Sequence, residues 1–293
     1  MIHVAAADEY RGRIIVTITG DSADNRAVVA AGDLATIFGS TIEGLYIENT
    51  ELFQAAAHSF TRQVLLSGQI APTLDAENLA SAVFCIGRKA LRQFSQSLVK
   101  NGMNSTTRSL RVSIDVALAT ACTEQGPWNI AVIGNAISVA ELPKYIDLLT
   151  QTVGLAALWT VPKKSQTDRG PIVIIVDQDE NLHPMLRFAE RYRILDQANP
   201  IPITIMILAN SIYDLDDREG RLRLALGTST IESTHITIER SLTTAENTFD
   251  FQSTIRKQSP RLVIAQSHTL LTGSATDTSD FELDLPYQLL IVR

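Results

Sequence analysis

The segments RIIVTIT (13–19) and PIVIIVD (171–177) limit the possible folds of this chain more than any other feature. Each is a run of apolar, mostly β-branched residues without the polar alternation of a half-exposed strand, so each reads as a strand buried on both faces. A segment with helical spacing follows each run, and the order strand, helix, strand recurs in both halves. Further strand candidates in the first half are TIEGLYI (41–47), RSLRVSI (108–114), WNIAVIG (128–134) and LAALWTV (155–161). In the second half they are IPITIMILA (201–209), HITIER (235–240), RLVIAQ (261–266) and YQLLIVR (287–293). Buried strands separated by helices form parallel sheets, because each crossover helix covers one face. The expected fold is therefore α/β: two doubly wound, five-stranded parallel-sheet units over 12–162 and 171–293, joined by the polar stretch PKKSQTDRG.

In the first helical segment Ala27, Ala31, Leu34, Ala35 and Phe38 share one face, and Gly39 ends it. The turn before it, Gly20-Asp21-Ser22, has the backbone of an anion site but carries carboxylates at Asp21 and Asp24 that repel anions, so a helix cap is the simpler reading. Residues 51–101 make the second crossover unusually long. They are expected to form two helices broken at SGQIAP, the second opening on Asp75. Leu52, Phe53, Phe60 and Val64 would then meet Val83, Ile86 and Leu91. This helical insertion is the expected partner-binding surface. In the second unit the stretch after Gln266 is rich in Thr, Ser and Asp, which predicts a lost or shortened last helix.

Apolar residues make up 45% of the 293 and charged residues 19%, which supports folded cores throughout. The formal charge of −7, without a Lys/Arg block, argues against nucleic acid and acidic membrane surfaces as partners. The N-terminus lacks the basic-then-apolar order of a signal peptide, and no apolar run is long enough to span a bilayer, so a cytoplasmic location is expected. Cys85 and Cys122 form no C-x-x-C pair and read as core residues. The five histidines show no metal-ligand spacing, and no Gly-x-Ser-x-Gly elbow is present. Asp177, Asp179 and Glu180 gather at a strand end, as a solvated helix start or a ligand contact. YDLDDREG (213–220) lacks the order of a calcium loop and suits a surface helix start. Trp128 and Trp159 read as core or interface residues.

The order of elements, with GLYIENTELF after the first crossover, then WNIAVIGNA and GLAALWTVP, resembles a universal stress protein domain. PIVIIVDQDE through LPYQLLIVR looks like a second copy. The resemblance, which extends to the adenine nucleotide α-hydrolase-like group, implies that the fourth strand lies beside the first at a topological switch point. It also implies an edge fifth strand that can pair with another unit. Here LAALWTV and YQLLIVR are expected to pair.

Nucleotide-binding members carry an Asp at the end of the first strand and the pattern G-x2-G-x9-G-[ST] after the fourth. In the first unit the Asp position is Thr19, and Gly134 is followed by Ile137 and Asp147 where glycines belong. In the second, Asp177 matches the acid, but no glycine follows the strand at the required spacing. The candidate binding residues are thus Asp177, Gly134, Asn135 and Gly20, with no catalytic or metal residue. The resemblance implies a non-catalytic tandem protein of stress response or regulation. It would act through protein partners or self-association without a cofactor; the alternative is an ATP or AMP sensor that uses Asp177. An adenylate-forming enzyme would need a phosphate motif that is absent from the sequence.

Overall fold

The computed structural model describes residues 12–18, 24–48, 50–58, 62–64, 70–73, 76–124, 128–133, 142–162, 170–177, 182–193, 195, 200–227, 236–242, 255, 257–267 and 287–293. In the first half the elements are β1 (Arg13–Ile18), α1 (Asp24–Phe38), β2 (Thr41–Ile47), α2 (Thr50–Ala57), β3 (Arg62–Val64), β4 (Ile70–Thr73), α3 (Ala76–Lys100), β5 (Ser105–Leu110), α4 (Ile114–Thr123), β6 (Asn129–Ile133), α5 (Leu142–Gln151) and β7 (Leu155–Thr160). The second half contains β8 (Ile172–Val176), α6 (Leu182–Arg193), β9 (Ile203–Ala209), α7 (Ile212–Gly227), β10 (Ile236–Leu242), β11 (Leu262–Gln266) and β12 (Gln288–Val292).

Ten of the strands form one sheet in the order β10-β9-β8-β11-β12-β7-β6-β1-β2-β5. Within each half the strands are parallel, and the first strand lies between the second and the fourth. The halves therefore share one topology, as their sequence patterns imply. They join where β12 runs antiparallel to β7, with Leu290 opposite Trp159 and Ile291 opposite Leu158. This is the expected pairing of terminal strands. Each would otherwise expose a row of unpaired backbone groups flanked by apolar side chains.

The sheet has an apolar core on each face. One holds Ile14, Val16, Ile18, Trp159, Ile174 and Ile205 under α1, α3, α6 and α7; the other holds Ile15, Leu45, Ile133, Val173 and Leu289, with Leu118 of α4 and Leu149 of α5. On the first face α1 and α6 flank the junction, and their rings meet across it. Phe38 lies 5.7 Å from Phe188, and Trp159 lies 5.8 Å from Phe188 and 5.6 Å from Tyr192. Tilted rings at such separations bury large apolar area in favourable quadrupole geometry. Gly39, at φ 61°, ends α1 in the left-handed conformation that glycine adopts without a Cβ penalty.

The long crossover contains the two expected helices, α2 and α3, but the break between them includes the antiparallel ribbon β3–β4, in which Arg62 lies opposite Thr73. Ile86, expected to face α2, is 51% exposed. The cause is Gly87: a Cβ there would stand 2.5 Å from Cε1 of Tyr46, so the glycine lets α3 lie directly on that ring. Once Gly87, Ala90, Phe94 and Leu98 face the sheet, Ile86 must turn outward.

The third strand is also shifted. RSLRVSI was expected to be a strand over 108–114, but β5 is Ser105–Leu110 and α4 begins at Ile114, behind Ser113 in extended conformation. YDLDDREG opens α7 as a surface helix: Ser211 Oγ accepts the Asp214 N–H at 3.1 Å and donates to its carboxylate at 2.7 Å. Cys122 is buried as expected, but Cys85 is exposed on α3, because it lies on the side of that helix opposite the sheet-facing Gly87 and Ala90. Trp159 is fully buried, whereas Trp128 is 60% exposed. The expected loss of the second unit's last helix falls at 268–286, outside the described residues.

Candidate functional site

In a doubly wound sheet, ligands sit beyond the carboxyl ends of the strands, where successive crossovers leave in opposite directions. The two switch points here lie between β1 and β6 and between β8 and β11. At the first, Gly20, Gly134 and Asn135 lie outside the described residues, as do Thr19 and Ile137. Asp147 is described: it is exposed and stands sixth in α5 (Leu142–Gln151). An amide at that depth bonds to a carbonyl one turn back, since only the first four N–H groups of a helix are free. The Asp147 carbonyl in turn accepts the Thr150 hydroxyl at 2.9 Å.

At the second switch point Asp177 directly follows β8 and is half-buried. Asp179 and Glu180 lie outside the described residues. Beside it, β11 ends in Gln266, 0% exposed, and Ser267, 7% exposed, follows directly. Sequence reading missed this polar pair, because Gln and Ser carry no motif and their burial follows only from the central position of β11. Among the described residues, no three His, Cys, Asp or Glu side chains gather as a metal site. No described helix is long and apolar enough to cross a membrane.

Two charged clusters also went unrecognised in the sequence. At the carboxyl ends of β2 and β5, the buried Glu48 accepts from Arg111 Nε at 2.8 Å and from the Ser109 hydroxyl at 3.2 Å. The Arg111 guanidinium lies 4.2 Å from the ring centroid of Phe53 and so ties α2 to the sheet. At the opposite end, the buried Arg13 pairs with the buried Glu43, donates to the Ala121 carbonyl and leaves Arg108 to bridge Glu43 at 3.0 Å and Glu124. This network lies at the amino ends of the strands, away from the switch points, and fastens β1, β2 and β5 to the end of α4. Nearby, burial pushes the Cys122 thiol up to about 11, with Arg13 and Glu43 acting in opposite directions. At the junction of the units, burial raises the pKa of Asp33 on α1, and the Arg261 guanidinium partly offsets it.

No protein-family model matches the chain, and no curated protein does. Among solved structures it is similar over 97% of both chains to a universal stress protein from Archaeoglobus fulgidus DSM 4304, with a TM-score of 0.62 and 9% identity. A functionally unknown protein from Pseudomonas aeruginosa PAO1 matches over 98% of this chain and 94% of its own, with a TM-score of 0.50 and 15% identity. The cytoplasmic domain of a prokaryotic cation chloride cotransporter matches over 96% and 95%, with a TM-score of 0.52 and 12% identity. With two five-stranded α/β units of identical strand order joined edge to edge, the chain has a tandem universal-stress-protein-like fold.

Proposed function

We propose that the chain is a non-catalytic, universal-stress-protein-like regulator of the cytoplasm that acts in stress response through protein contact and needs no cofactor. The observation that carries the reading is the place of Asp147. The third glycine of the phosphate pattern would present a free amide to an anion, yet this position lies inside α5 and bears a carboxylate. A helix interior and a negative charge both oppose a triphosphate there. The elaborated crossover supports protein contact, because α3 exposes Phe84, Ile86 and Val99.

A second reading, an ATP or AMP sensor confined to the second unit, is favoured by the half-buried Asp177 beside the buried Gln266 and Ser267. Calorimetric titration of the full chain with ATP and with AMP, with and without Mg²⁺, separates the two. The first reading expects no saturable heat. Micromolar binding that disappears in Asp177→Ala would replace it with the sensor.

A further inference from the structure

The outer face of α3 concentrates positive charge that no described residue neutralises in an ion pair. The helix carries Arg88, Lys89, Arg92 and Lys100 against one acid, Glu77, for a net +3. With the whole chain at −7, the remainder is −10. All four cations are exposed, and none forms an ion pair with a described residue. On α7, by contrast, Arg221 bonds Asp217 at 2.7 Å and Arg223 bonds Glu219 at 2.6 Å, and at β5 Arg108 and Arg111 bond Glu124 and Glu48. The α3 cations are interleaved with exposed apolar side chains, Phe84 at 53%, Ile86 at 51% and Val99 at 67%. The Arg88 guanidinium lies 5.5 Å from the Phe84 ring centroid, which joins the charged and apolar parts into one surface. From residue 84 to residue 100 this stripe runs about 24 Å at a rise of 1.5 Å per residue.

We propose that this face docks an acidic amphipathic segment of a partner protein, with carboxylates at helical spacing opposite Arg88 and Arg92 and an apolar side chain against Phe84. The inference rests on the protein-contact reading above and gives that contact its chemistry. Two other polyanions fit less well. A bilayer takes up the apolar face of a helix, but Ala90, Phe94 and Leu98 of α3 are already buried against the sheet. A nucleic acid presents a long row of phosphates, which the −10 of the remaining chain repels. A short acidic segment matches the length and charge of the stripe and gains apolar contact at one end.

The test is fluorescence anisotropy of a labelled, helix-forming Glu/Leu peptide of about 18 residues, long enough to span the stripe, titrated with the full chain. Saturable binding that weakens with added salt is expected, with a loss of about tenfold or more in Arg88→Glu/Arg92→Glu and in the Gln/Leu version of the peptide. Phe84→Ser should also weaken binding, and it keeps the test valid if the charge variant folds poorly. Arg221→Glu on α7 should bind as wild type does. Absence of peptide binding, or binding indifferent to the α3 substitutions, overturns the proposal. So does tighter binding to phosphatidylserine vesicles than to the peptide. Nucleotide binding through Asp177 would overturn the cofactor-free reading without altering these titrations, so the two failures are distinguishable.

Discussion

Trp159 of β7 lies directly opposite Leu290 of β12, and this antiparallel pair is the centre of the molecule. Both side chains are almost completely buried, and the Trp159 indole meets Phe188 and Tyr192 of the other half. The two units thus share a sheet and an aromatic core, which couples their stabilities.

Truncation at this seam should therefore loosen both halves. Leu290→Ala is expected to cost about 2–5 kcal/mol, the range for emptying a packed core position, and Leu290→Lys more, because it also buries a charge. Chemical denaturation followed by Trp159 fluorescence and by far-UV circular dichroism checks this. An unchanged midpoint in both variants would mean that the seam contributes little.

The buried Arg13–Glu43 pair gives a second prediction. Glu43→Gln leaves the Arg13 guanidinium buried without its counter-ion and should cost about 3–5 kcal/mol. Arg13→Met/Glu43→Leu, which removes both charges, should lie much closer to wild type. Equal losses in the single and double variants, measured by urea denaturation, would show that packing rather than charge governs the position.

Gly87 tests the contact of α3 with the sheet. Gly87→Ala gains about 1 kcal/mol of helix propensity. It also drives a methyl group into the Tyr46 ring, at a cost of about 1–3 kcal/mol. Net destabilisation is expected, with recovery when Tyr46→Leu makes room. A stabilised single variant would contradict the close approach.

The cysteines should differ sharply. Cys85 is exposed, and Cys122 is buried with its thiol pushed up to about 11. Native protein at pH 8 is expected to take up iodoacetamide at Cys85 alone, and unfolded protein at both. Because the folded value exceeds the ordinary 9.0, the contribution of Cys122 to stability is full below that value and is lost as pH rises through about 11. Native-state labelling of Cys122 at pH 8 would contradict its burial.

How much of this was legible in the sequence varied with the physics of each element. β1, β8, β11 and β12 are central strands with apolar residues on both faces, so their runs were plain, and so was the pairing of two apolar terminal strands. β5 lies at the sheet edge. Its STTRSL sequence buries little, and the apolar Val112 and Ile114 beyond it imitate a strand. The inward turn of α3 depends on a glycine meeting a ring 41 positions earlier, which periodicity does not encode. Arg13 and Glu43 were invisible as a pair because each is by default a surface residue; only the register that sets Ile15 opposite Glu43 brings them together. Of the candidate binding residues, Asp177 is at the expected switch point, while Gly20, Gly134 and Asn135 lie outside the described residues.

The central claim is that the first unit holds no phosphate and that the protein works through contact with other proteins. The most direct measurement is amide hydrogen–deuterium exchange of the full chain with and without saturating ATP and Mg²⁺, resolved to peptides that cover residues 134–151 and 171–182. The account predicts identical exchange in both peptides. Protection of the 134–151 peptide by the nucleotide would contradict it, because a bound phosphate would then be ordering the segment where Asp147 should repel it.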